Sequence, residues 1–181
     1  MRRATQEIRG GPSEGAKPKL FFVGHAPTRS RPFAPPLSGG RTGQILSALC
    51  GVEDVACRFP SANIMRRWRG KHGKGDRFKP TGADIDRTWR EIETAVAHNG
   101  CTHLVFVGRA GADAMLYVKD FPALRWSSVF WTSHYRSGPR TFKVKLLVVP
   151  HTTGINLFYN DRSNRRRVAR LLRGVVREAL R

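Results

Sequence analysis

The chain's 181 residues, 40% of them hydrophobic, supply one domain with a buried core and exclude two of ordinary size. Thirty-three Lys and Arg against 13 Asp and Glu leave a formal charge of +20, spread along the whole chain, which makes a polyanion the natural partner and gives a small-nucleotide enzyme no reason to carry it. The absence of a long apolar span or a secretory apolar core excludes membrane association, and three cysteines without Cys-x-x-Cys spacing exclude a four-cysteine zinc or iron–sulfur site. These features read as an intracellular, cytoplasmic, reduced, monomeric protein without metal or cofactor.

Residues 1–18 are polar, basic and rich in Gly and Pro, and read as a mobile basic arm ahead of a domain over 19–181. LFFV at 20–23 is a strand, and a helix is expected from about Thr42 to Cys50. Val55 to Phe59 reads as extended. A helix follows from about Ala83 to His98, then the strand HLVFV at 103–107 and a helix opening at Ala110 after Gly108. SSVFW at 127–131 and VKLLVV at 144–149 are further strands, the second apolar throughout as a strand buried on both faces should be. The last helix starts near Asp161 or Ser163. It buries Val168, Leu171, Leu172, Val175, Val176 and Ala179 behind a face dense in Arg.

This alternation predicts an α/β domain in βαβαβαβα order: a three-layer αβα sandwich on a central, mainly parallel sheet of four or five strands. In such sheets ligands bind beyond the carboxyl ends of the strands. The segments that matter are therefore 24–43, 60–80, 108–111 and 150–160.

The first of these, GHAPTRSRPFAPPLSGGRTGQIL from Gly24, turns sharply and enters a helix whose amides can face an anion or a base carbonyl. The last, PHTTGIN at 150–156, sets His151 at the end of a buried strand beside hydroxyls, a glycine and the apolar run Leu157–Phe158–Tyr159. Between Ile64 and Lys79, seven Lys or Arg interleave with Trp68 and Phe78 against the single Asp76, a pattern suited to gripping phosphates.

Four stretches in order resemble the uracil-DNA glycosylase superfamily: Gly24 to Pro27 with the downstream GGRTGQIL, Asn63, VGRAGADAML at 107–116, and HTTGIN at 151–156. The likeness runs over nearly all of residues 20–180. It departs from the family in two respects. His151-Thr152-Thr153 keeps the His and a hydroxyl of a His-Pro-Ser pattern but loses the Pro, and GHAPTRSRP holds no acid to position water.

The resemblance implies a glycosylase that flips out a damaged or modified base from DNA, uracil or another modified pyrimidine, and cleaves its N-glycosidic bond. It implies that His151 donates to the base oxygen, helped by the amides around His25 and Ala26, with Asp76 a candidate for orienting water. It makes Asn63 the reader of the pyrimidine edge and Phe33 or Leu37 the floor under the base. DNA would be held by Arg41 and Thr42, by Arg66, Arg67, Arg69, Lys71 and Lys74, by Arg109, and by Thr153, Gly154, Ile155 and Asn156. Ile155, Leu157 and Phe158 would supply an apolar wedge. An inactive DNA-binding relative and a nucleoside or nucleotide hydrolase on the same scaffold are the alternatives.

Overall fold

The computed structural model describes residues 19–26, 36–38, 40–66, 80–97, 99–116, 122–133, 140–152 and 157–181. Among them are β1 (Leu20–Gly24), α1 (Gly40–Cys50), α2 (Val55–Arg58), β2 (Ser61–Asn63), α3 (Gly82–Ala97), β3 (His103–Val107), α4 (Arg109–Leu116), β4 (Ser127–Ser133), β5 (Arg140–Val149), a 3-10 turn (Leu157–Asn160) and α5 (Arg162–Leu180). The expected arm at 1–18 lies outside the described residues.

The five strands form one sheet in the order β2-β1-β3-β5-β4. β1 pairs in parallel with β2 and β3, and β3 with β5, while β4 pairs antiparallel with β5. Alternate residues of each strand feed opposite cores, because successive side chains of a strand leave opposite faces. Phe21, Val23, Leu104, Phe106, Leu146 and Val148 pack with Ile85 and Ile92 of α3 and Met115 of α4. Leu20, Phe22, Val105, Val107, Leu147 and Val149 pack with Leu46 and Leu49 of α1 and Val168, Leu172 and Val176 of α5. The result is the αβα sandwich. Truncating any of its fully buried Leu or Ile residues, such as Ile92 or Leu172, costs about 2–5 kcal/mol.

Local chemistry sets the helix starts. Thr81 and Asp84 form a reciprocal cap: the Thr81 amide and hydroxyl donate to Asp84 Oδ2 at 2.9 and 2.7 Å, and the Asp84 amide donates to Thr81 Oγ1 at 3.3 Å. Asp161 caps α5 by accepting from the Ser163 amide at 2.6 Å.

Two expectations require correction. Val55 to Phe59 is not extended: Asp54 accepts from the Ala56 amide at 2.8 Å and starts the one-turn helix α2, and the strand comes later, over Ser61–Asn63. Val55 and Phe59 are buried while Cys57 between them is exposed, which is the i, i+4 spacing of a helix face and not a strand's alternation. The βαβαβαβα order also breaks at its end. β4 and β5 are separated by residues 134–139, too few for a crossover, and pair as an antiparallel hairpin. β5 is accordingly longer than expected. Thr141, Lys143 and Lys145 are exposed in its first half, and only Leu146–Val149 is buried on both faces. Among the described residues no helix is long and apolar enough to cross a membrane.

Candidate active site

β1 lies between β2 and β3, so the chain leaves it toward one side and returns on the other. Loops diverging from such a switch point open a crevice at the carboxyl ends of the strands. His25 follows β1, Asn63 ends β2, Gly108 follows β3, and His151 follows β5 after Pro150.

Contacts draw these residues together. The amides of Ile64 and Met65 donate to the carbonyls of Gly24 and His25 at 3.0 and 2.9 Å, which carries the β1–β2 pairing into the loops. Asn63 is 6% exposed and lies over Gly24, where a Cβ would fall 2.4 Å from its Oδ1. On the neighbouring edge, a Cβ on Gly111 would stand 2.9 Å from Cδ1 of Ile64 and 3.9 Å from Cδ2 of His25. The glycine that ends β1 and the one in the first turn of α4 thus leave the space into which Asn63 and Ile64 pack.

The last loop is anchored from both ends. Tyr159 donates its hydroxyl to the Pro150 carbonyl at 2.8 Å, and the fully buried Thr152 donates to the Thr42 carbonyl at 3.3 Å. His151 is held between these anchors. Burial pushes the imidazoles of His25 and His151 below their ordinary pKa, and the proximity of His25 lowers His151 further. Both rings are therefore neutral at pH 7, each with one N–H to donate and one nitrogen to accept.

Asn63 has its own support. The Arg87 guanidinium on α3 donates to the carbonyls of Asn63, at 3.0 Å, and Ile64, and pairs with Asp84 and Glu91 at 3.5 Å each. Sequence reasoning missed Arg87 and Thr152 because both act on backbone oxygens, which no residue pattern displays. Among the described residues no hydrogen bond reaches the Asn63 carboxamide.

The chain matches no family model and no curated protein.

The remaining expected residues divide. Ala26 continues the first loop behind His25, half-buried. Leu37 is buried, with Cδ2 lying 3.1 Å from the Cβ position of Gly24, so it backs Asn63 from the side of α1. Arg41 is exposed at the start of α1, and Thr42 beside it receives Thr152. Arg109 is exposed at the start of α4, while Arg66 is exposed and paired with Glu91 at 3.1 Å. Leu157 is 74% exposed, as a wedge requires. Phe158 is half-buried edge-on against Tyr159, ring centres 5.1 Å apart, and packs toward the core. Phe33, Arg67, Arg69, Lys71, Lys74, Asp76, Thr153, Gly154, Ile155 and Asn156 lie outside the described residues. Among the described residues no group of three or more His, Cys, Asp or Glu stands close enough to hold a metal ion.

Proposed function

We propose that this protein is a DNA glycosylase that excises a damaged or modified base, uracil or another modified pyrimidine. The observation that carries this reading is the convergence of two neutral imidazoles, His25 and His151, with the carboxamide of Asn63, which has no hydrogen bond among the described residues, at the switch point of a strongly basic αβα domain. A carboxamide whose backbone is clamped by Arg87 presents one donor and one acceptor, the pair needed to select a pyrimidine edge.

Cleavage breaks the bond between the sugar C1′ and the base nitrogen, and the electron pair leaves with the base. Negative charge grows on the base oxygen while the sugar becomes a cation. A neutral imidazole N–H of His151, fixed on the Thr152 and Tyr159 anchors, donates to that oxygen more strongly as the charge develops. Water then adds to C1′ and loses its proton to solvent or to an acceptor nearby. The target base leaves the duplex first, and the exposed Leu157 is suited to fill the gap.

A second reading has a specific basis: the first loop GHAPTRSRP contains no acid. A chain that binds DNA without cutting it is the alternative. Incubation with oligonucleotides carrying uracil, hydroxymethyluracil, hypoxanthine and hypermodified pyrimidines, followed by alkaline cleavage of abasic sites, separates the two. Strand breakage at one of the modified positions supports the glycosylase; intact strands throughout support the binding-only relative.

A further inference from the structure

Helix α5 carries a row of arginines that the candidate site does not use. Arg162, Arg166, Arg170, Arg173 and Arg177 succeed one another at spacings of four, four, three and four residues, all exposed, on the side away from the buried Val168, Leu172 and Val176. At 1.5 Å rise per residue the row extends about 22 Å. It begins where the chain leaves the His151 loop and runs back along the sheet, away from the crevice.

A structural role accounts for only part of the row. Arg173 donates to the last carbonyls of α1, Ala48 at 3.0 Å and Leu49 at 3.3 Å, and Arg177 donates to the Arg173 carbonyl at 3.2 Å. Among the described residues no carboxylate pairs with Arg162, Arg166 or Arg170. Their placement costs stability twice. Arg162, the first residue of α5, adds positive charge at the positive pole of the helix, where the capping carboxylate of Asp161 offsets it only in part. Like charges four residues apart also repel one another. A merely solvated face would mix signs, and α5 has Glu178 as its one acid.

We infer that the outer ridge of α5 is a second nucleic-acid surface, which grips the phosphate backbone flanking the segment held at the crevice. This inference rests on the reading of DNA as the partner. A regularly spaced row of guanidiniums suits a regularly spaced row of phosphates, and binding would relieve the repulsion within the helix. A membrane surface fits less well, because the apolar face of α5 is consumed by the core and cannot insert.

The test uses the full chain and the triple variant Arg162→Gln, Arg166→Gln, Arg170→Gln, since Gln keeps helix propensity and removes charge. Its control is Arg58→Gln, Arg90→Gln, Lys143→Gln, exposed positions elsewhere with the same charge loss. Affinity for an unmodified duplex is measured over a range of salt, together with the melting temperature. The ridge variant is expected to melt at the same or a higher temperature, while its plot of log affinity against log salt becomes shallower by roughly two to three. The control slope should hold. An unchanged ridge slope overturns the inference, as does an equal change in the control, which would reduce the effect to net charge. Loss of binding to phosphatidylserine vesicles with duplex binding intact also overturns it, in favour of a membrane. If the unaltered protein binds no DNA at any salt, the functional reading falls along with the ridge.

Discussion

A Cβ placed on Gly108 would come within 2.9 Å of Cδ2 of His151, and Gly108 itself has φ of +110°, outside the range that residues with side chains adopt readily. A side chain at Gly108 and the His151 ring would therefore compete for the same space. Gly108→Ala must strain the backbone and displace the imidazole, and it should cost on the order of 1–3 kcal/mol. Thermal melting measures the first effect and base release the second.

Gly24 provides the contrasting case. The nearest obstacle to a methyl group there is Asn63 Oδ1 at 2.4 Å, the tip of a side chain that can rotate away, and the backbone is an ordinary buried strand end. Gly24→Ala should leave stability within about 1 kcal/mol of the unaltered protein. It should nevertheless shift or broaden base choice, which is measured by comparing rates across the same panel of modified bases.

Arg87→Ala removes the donor shared by the carbonyls of Asn63 and Ile64 and releases two acids from their partner. The expected loss is about 1–3 kcal/mol in urea unfolding, because partly buried carbonyls are left unpaired. Arg87→Lys should recover only part of it, since a single ammonium cannot reproduce the fork of the guanidinium.

Much of the fold was legible and the exceptions have physical causes. β1, β3 after His103 and the buried half of β5 are apolar runs, and α3 and α5 carry apolar residues at helical spacing after clear N-terminal caps. The β2 strand is only Ser61–Asn63, with no residue of strong strand preference, so the apolar Val55 and Phe59 ahead of it drew the reading away. The β4–β5 hairpin is hidden because the exposed Thr141 and Lys143 interrupt the apolar pattern at the start of β5, so that the strand reads as beginning only at Val144. His151 could be found from its position at a strand end. Asn63 stood out only through the resemblance, and nothing in the residue order marks its dependence on Arg87.

Three histidines govern the acid limb of stability. His103 at the start of β3 is buried, with Thr102 Oγ1 2.8 Å from its Nδ1, and burial and the nearby Lys145 push its pKa down from 6.5 to about 4. The unfolded chain therefore binds more protons than the folded one in that interval, so stability should fall as pH drops from 6.5 toward 4. His25 and His151, both lowered, add in the same direction. His103→Gln should flatten the slope in urea unfolding at a series of pH values.

The two site histidines should also titrate as a pair, because the charge on one opposes the charge on the other. In His25→Gln the pKa of His151 should rise, by less than its full displacement because burial is the larger cause. Proton NMR of the imidazole resonances follows this without reference to activity.

The central claim is that His151 stabilises the departing base, and single-turnover base release by His151→Ala on the best substrate tests it most directly. A donor that acts only as charge develops contributes little to ground-state binding, so DNA affinity should stay within a few-fold while the rate falls about a hundredfold to a thousandfold. Base release by His151→Ala at the rate of the unaltered protein would contradict the account, because the loop after β5 would then be structural and the chemistry would have to reside elsewhere.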